Sequence, residues 1–125
     1  MANHISRHCD WPASLLATLT LLAASASAGD REMFFERQVR PLLARHCFAC
    51  HGSQKQEGGL RLDSAAAFKR GGDRGPVVVP GKPRASLLLS AIERRGVLKM
   101  PPVRPLSKGA KAVLTRWVSE GAHWP

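Results

Sequence analysis

Two cysteines and a histidine stand together in the sequence as Cys47-x-x-Cys50-His51. Two thiols at this spacing can add to the two vinyl groups of a haem and form thioether bonds, and the adjacent imidazole can then bind the iron from one face. The pattern therefore predicts attachment of a c-type haem, with Cys47 and Cys50 as the thioether sulfurs and His51 as an iron ligand.

Three other chemistries use a C-x-x-C pair. A thioredoxin-like redox pair is expected near a βαβ pattern, and the sequence shows none. A structural zinc site normally needs four ligands, and no second Cys or His pair follows. A plain disulfide between Cys47 and Cys50 would leave His51 without a role. Haem attachment is the interpretation that uses all three residues.

A c-type iron usually takes a second axial ligand from elsewhere in the chain, and a thioether sulfur favours ferrous iron. Met100 is the candidate that we favour, because two prolines follow it directly and stiffen its loop. A sulfur held in a stiff loop loses little entropy on reaching a metal. Met33 is expected to pack in the core instead. His46 and His123 are the reserve ligands, and Lys99 is a remoter one at high pH.

The elements that must position these residues are predicted to be helices. The length of 125 residues suits one domain with a removable tail. The first helix is expected from Asp30 as N-cap, with a break or kink after Val39 or Arg40 because of Pro41, and a second piece over 41–46. Further helices are expected over 64–70 behind Asp63, over 86–95 closed by Gly96, and from Ser107 as N-cap to Gly121. Residues 77–79 are bracketed by prolines and are expected to be an extended loop rather than a strand.

The apolar positions of the first and last helices predict the core. Phe35, Val39 and Leu42 are expected to meet a matching set on the last helix, Val113, Leu114 and Trp117. Phe48, Leu60 and Leu62 are candidate walls of a haem pocket. Trp124 either covers an edge of the domain or ends it.

Residues 1–28 carry the three parts of a secretory signal peptide: Arg7, an apolar run over 13–24, and small residues ending at Ala28. The run is short for a membrane-spanning helix, which needs about 17–25 residues. We therefore expect cleavage after Ala28, a mature chain of residues 29–125, and a periplasmic or otherwise exported protein. Attachment to a membrane is expected only if the signal stays uncleaved.

The formal net charge of +10 indicates a partner or surface of opposite charge. Positive residues lie on both sides of Met100, among them Arg94, Arg95, Lys99, Lys108 and Lys111. We expect a redox partner protein with an acidic docking surface, because complementary charge raises the encounter rate of weakly docking proteins. A solvated basic surface without specific docking is the alternative. Nucleic acid is not expected as a partner, since no aromatic residues are interleaved with the charges.

Four separated motifs resemble the planctomycete-type cytochrome c domain: the C-x-x-C-H motif at 47–51, GGLRLD at 58–63, KMPP at 99–102 and WVxxGAxWP at 117–125. The resemblance covers about residues 34–125. It implies an all-α, cytochrome c-like small helical domain wrapped around one covalent haem, with long loops. It also implies His51 as the proximal ligand and Met100 as the distal ligand. Arg61, close to the attachment motif, is a candidate partner for a haem propionate.

The function expected from these features is one-electron transfer by an exported monohaem c-type cytochrome, which is a carrier and not an enzyme. One alternative is a haem-binding sensor or accessory module of a larger secreted enzyme, because domains of this family commonly precede further domains. The other is a haem-free thiol–disulfide protein built on Cys47 and Cys50.

Overall fold

A computed structural model describes residues 27–125. These residues form helices and no strand, which agrees with the predicted all-α class. The predicted signal peptide lies outside the described residues except for Ser27 and Ala28. No helix of residues 27–125 is long and apolar enough to cross a membrane. The α-helices are α1 (Ala28–Phe34), α2 (Arg40–His46), α3 (Ala65–Arg70), α4 (Leu87–Ile92) and α5 (Lys108–Ser119).

The first helix begins three residues earlier than predicted. Ser27 is the N-cap, and its hydroxyl accepts a hydrogen bond from the Asp30 backbone N–H at 3.2 Å. The Asp30 carboxylate accepts in turn from the Ser27 backbone N–H at 3.1 Å. This reciprocal pairing is a capping box, so Asp30 is its third helical residue and not the cap itself.

Of the predicted break or kink at Pro41, the structure shows no break but a local distortion of the helix just before the proline. A π-helical segment, Phe35–Val39, joins α1 to α2, and the backbone stays helical throughout. Proline has no N–H and its ring collides with the carbonyl four residues earlier in a regular α-helix. The Arg40 N–H instead bonds to the Phe35 carbonyl, five residues back, so the helix widens just before the proline.

Two of the predicted helix ends also move. Ser64, not Asp63, caps α3, because its hydroxyl accepts from the Ala67 N–H at 3.3 Å. Helix α4 ends at Ile92 rather than at Arg95, since Arg94 already has a left-handed backbone with φ of 60°. The boundaries of α5 agree with the prediction, with Ser107 as its N-cap. Residues 77–79 form no strand, also as predicted.

The core forms where α5 crosses the π-helical segment. Phe35, Val39 and Leu43 are buried on one side, and Leu114, Trp117 and Val118 are buried on the other. Leu43 and Val118 therefore hold buried positions that were expected for Leu42 and Val113, which are only half-buried. The π-helical segment comes before Leu42 and Leu43, and its extra residue per turn accounts for the change from Leu42 to Leu43.

Four aromatic rings join the C-terminal end of the chain to this core. Trp124 is buried, and its ring lies 4.7 Å from Phe35 and 5.2 Å from Phe68, centroid to centroid. The Trp117 indole N–H donates to the His123 carbonyl at 2.8 Å and holds the chain end in place. Trp124 thus covers an edge of the domain, the first of the two predicted alternatives.

Candidate functional site: a cavity behind the CxxCH turn

The attachment motif folds as one tight turn at the end of α2. Cys47 caps the helix, and its carbonyl accepts from the His51 N–H at 2.8 Å and from the Cys50 N–H at 3.1 Å. The residue after the histidine is Gly52, where a Cβ atom would collide with the Phe48 carbonyl. The turn therefore needs glycine at position 52 to hold both thiols and the imidazole close together.

A cavity of about 770 Å³ lies beside this turn, and all four predicted site residues line it: Cys47, Cys50, His51 and Met100. This volume falls within the range of about 300–1,000 Å³ that is typical of ligand and cofactor pockets. The four residues come from segments up to 53 positions apart in sequence, and the fold brings them to one space.

The cavity walls are mainly apolar. Helix α4 contributes Leu88, Ala91 and Ile92, and Leu60 and Leu62 contribute from the segment after the attachment motif. Leu60 and Leu62 are therefore pocket walls, as expected. The predicted third wall, Phe48, is half-buried and packs on the core instead. An apolar surround disfavours the added charge of an oxidised iron.

Two hydrogen bonds fix the loop that carries Met100. The Met100 N–H donates to the Ala91 carbonyl at 3.0 Å, and the Arg94 guanidinium donates to the Pro101 carbonyl at 2.9 Å. Both bonds tie the loop to the C-terminal end of α4. Stiffness at Met100 therefore comes from these anchors as well as from the prolines that the sequence shows.

The other candidate ligands have different positions. Met33 does not line the cavity and is 45% exposed, so the expectation of core packing was wrong. His46 lines the cavity, whereas His123 and Lys99 are exposed and do not. Of the reserve ligands, only His46 has access to the space in front of Cys47.

The His51 ring fits a ligand-binding role. Its Nδ1 atom is buried and has no hydrogen-bond partner among the described residues. A buried polar atom without a partner costs about 1–3 kcal/mol, and such atoms concentrate where a site serves a ligand. The His51 imidazole also lines the cavity that the two thiols line.

The two thiols are free, and burial changes the chemistry of Cys47. Burial, and next the neighbouring Cys50, raise the pKa of the Cys47 thiol to about 11. The thiolate is the form that attacks disulfides, so Cys47 is poorly suited to thiol–disulfide exchange at neutral pH. Residues 27–125 also bring together no set of three His, Cys, Asp or Glu side chains that could hold a metal ion by themselves.

Arg61, the predicted propionate partner, is engaged elsewhere. Its guanidinium donates twice to the Asp63 carboxylate, at 2.9 and 3.0 Å, and Arg61 does not line the cavity. The Arg61 guanidinium holds the pKa of the Asp63 carboxyl below its usual value. The structure therefore gives Arg61 a structural role beside the site.

Sequence analysis missed the part played by two pairs of glycines, Gly58-Gly59 and Gly71-Gly72. They let two loops meet at the cavity wall. The Asp73 N–H donates to the Gly58 carbonyl at 2.8 Å, and a Cβ on Gly72 would lie 2.6 Å from that same carbonyl. A Cβ on Gly71 would collide with the Gly75 carbonyl. Repeated Gly-Gly pairs near an attachment motif were the available signal.

The described residues form a helical domain with a cavity that a C-x-x-C-H turn and a methionine line, and these residue types suit a c-type haem. The family model of planctomycete cytochrome C matches residues 47–103. The match agrees with the resemblance that the motifs indicated. The match includes the attachment motif and Met100, whereas residues 34–46 and 104–125 lie outside it. No curated protein and no solved structure matches the chain.

Proposed function

We propose that the protein is an exported monohaem c-type cytochrome that carries one electron at a time and catalyses no reaction of its own. The observation that carries the proposal is the shared cavity of Cys47, Cys50, His51 and Met100. The match to the planctomycete cytochrome C family supports a covalently bound haem, which supplies the redox chemistry when bound. The proposal assigns that chemistry to this cavity.

The chain's own residues divide the work. Cys47 and Cys50 would hold the haem through thioether bonds, and His51 and Met100 would bind its iron. The apolar walls from α4 and from Leu60 and Leu62 exclude water, and this surround, together with the Met100 sulfur, would favour the ferrous state.

The segment after α4 is the proposed docking face for an electron-transfer partner. Val97 and Val103 are 87% and 95% exposed, and Lys99 and Arg104 are exposed between and beside them. Met100 lies in the same segment, so a protein docked here is next to the cavity. Two exposed valines offer a docked protein few apolar contacts, and the basic residues beside them attract an acidic surface. Both features suit brief binding of an acidic redox protein.

Export is supported by the composition of residues 1–28. Their removal takes away Arg7 and Asp10 and leaves the net charge at +10. N-terminal sequencing of the secreted protein is expected to begin at Gly29. A start at Met1 in a membrane fraction would mean that the signal remains as an anchor.

Reversible one-electron voltammetry of the holoprotein tests electron transfer. Exchange with an acidic redox protein is expected to slow as salt rises, because screening removes the steering charge. At a given salt concentration, Lys99→Glu should exchange electrons more slowly than the wild type. Lys82 is exposed in the turn bonded to α5, and Lys82→Glu should change the exchange rate little. A rate independent of salt would contradict acidic docking, and a tight complex with a secreted enzyme would favour the accessory-module function.

A further inference from the structure

Four side chains with formal charges line the cavity besides the proposed haem-attachment residues: Lys55, Glu57, Asp73 and Arg74. Lys55 and Glu57 form an ion pair at 2.9 Å. Asp73 lies against Gly59, with its backbone bonded to Gly58. Arg74 makes no ion pair with any residue of 27–125, so its guanidinium is the cavity-lining cation that remains available to an anion.

The backbone around Arg74 is fixed. Gly72 and Gly75 exchange two hydrogen bonds, at 2.8 and 3.1 Å, and so close a turn of two residues, Asp73 and Arg74. The bond from the Asp73 N–H to Gly58 ties this turn to the opposite loop. The root of the Arg74 side chain is therefore held at the cavity wall while the side chain itself is exposed.

Arg61 cannot easily take the same role. Its two hydrogen bonds to Asp63 occupy one edge of the guanidinium, and moving it would leave a half-buried carboxylate unpaired. Such a loss of a charge-assisted pair costs more than the bond itself contributes. Arg74 has no such partner to give up.

We propose that Arg74 binds the propionate carboxylates of the haem, an inference that rests on the proposed function. Haem carries two propionates, and a guanidinium matches a carboxylate with two parallel N–H···O bonds. The positive charge at Arg74 also disfavours ferric iron, which carries one more positive charge than ferrous iron. Arg74 is thus a positioning residue for the cofactor and raises the reduction potential.

The test compares three variants of the full-length protein, matured to the holoprotein in a host that attaches c-type haem. Arg74→Gln removes the charge, and Arg74→Lys keeps the charge but loses the planar two-bond geometry. Arg70→Gln is the matched control, because Arg70 is exposed at the end of α3 and does not line the cavity. The readouts are the reduction potential at fixed pH and the propionate signals in resonance Raman and NMR spectra.

We expect Arg74→Gln to lower the ratio of reduced to oxidised protein at a fixed solution potential by about threefold or more. For a one-electron couple this is about 28 mV, since tenfold corresponds to about 59 mV. Its propionate signals should shift, and those of Arg70→Gln should not. Arg74→Lys should keep most of the potential but still alter the propionate signals. It carries the test alone if the glutamine variant does not accumulate.

Equal potentials and unchanged propionate signals in the Arg74 and Arg70 variants would overturn the assignment of Arg74 alone, provided that the wild type holds covalent haem with its methionine ligand. A wild type that holds no covalent haem would overturn the proposed function and this inference together. The absorption spectrum of the wild type separates these two failures before any variant is compared.

Discussion

Ser86 connects the loop of residues 77–85 to the start of α4, which forms a wall of the cavity. Its replacement tests how much these hydrogen bonds stabilise the fold. It is the most deeply buried polar residue of the described chain, with 1% exposure. Its hydroxyl accepts from the Val79 N–H at 2.9 Å and lies 2.9 Å from the Lys82 carbonyl. Helix α4, which Ser86 precedes, supplies Leu88, Ala91 and Ile92 to the cavity.

The loss of unfolding free energy expected for Ser86→Ala follows from which hydrogen-bonding groups lose their partner. The Lys82 carbonyl still accepts from the Ala85 N–H at 3.1 Å, and the Val79 carbonyl still accepts from the Lys82 N–H at 2.9 Å. Only the Val79 N–H loses its partner. An unsatisfied buried donor costs about 1–3 kcal/mol. In a domain of about 100 residues, each kcal/mol lowers Tm by about 4–8 °C.

Thermal and denaturant unfolding of the holoprotein, followed by circular dichroism, measures this cost. Ser90→Ala is the matched control on the same helix, because the Ser90 hydroxyl makes one longer, exposed bond of 3.3 Å to the Arg95 carbonyl. We expect the control to cost less than about 0.5 kcal/mol. Equal effects of the two substitutions would refute the argument that the unpaired Val79 N–H determines the loss of unfolding free energy.

Three further predictions concern the loops and the titratable groups. Gly71→Ala should destabilise the protein more than Gly81→Ala. Both glycines have φ of 74°, but only at Gly71 would a Cβ atom collide with a neighbouring carbonyl. Equal losses of unfolding free energy in the two variants would contradict this close approach. The hydrogen bond from Arg61 lowers the pKa of the Asp63 carboxyl in the folded protein below its unfolded value of 3.8. The ion pair therefore stabilises the fold fully above pH 3.8, and this stabilisation is lost as the pH falls through the pKa of folded Asp63. The difference in unfolding free energy between wild type and Asp63→Asn should therefore shrink from about pH 6 to pH 3, and a constant difference would contradict it. Finally, burial raises the pKa of the Cys47 thiol from 9.0 to about 11. Before haem attachment, Cys47 in the Cys50→Ser protein should therefore be alkylated about 100-fold more slowly at pH 7 than an ordinary thiol, and denaturant should restore the normal rate. Equal rates in folded and denatured protein would contradict a buried thiol.

The sequence predicted the last helix correctly, and it singled out four residues that the structure brings to one cavity. Helix α5 has a serine cap and a regular apolar face, and both are local signals. The Cys47-x-x-Cys50-His51 motif is also local, because the chemistry fixes its spacing. Met100 was found from its stiff setting, and the structure places it at the same cavity.

The sequence could not predict features that depend on contacts between distant segments. The π-helical segment before Pro41 keeps a helix intact where the local rule expects a break, because packing against α5 favours continuity. The choice between Arg61 and Arg74 as a cavity cation depends on how two glycine-rich loops meet. Position in sequence favoured Arg61, yet the Asp63 carboxylate two residues later already holds it.

The most direct test of the account is the absorption spectrum of the mature holoprotein, recorded oxidised, reduced and after acid-acetone extraction, with Met100→Ala compared against Met33→Ala. Met33 is the matched control, because it is exposed and does not line the cavity. We predict haem that resists extraction, and a long-wavelength sulfur-to-iron band that disappears in Met100→Ala and persists in Met33→Ala. Extractable haem, no haem, or a band that survives in Met100→Ala would contradict the proposed site at Cys47, Cys50, His51 and Met100.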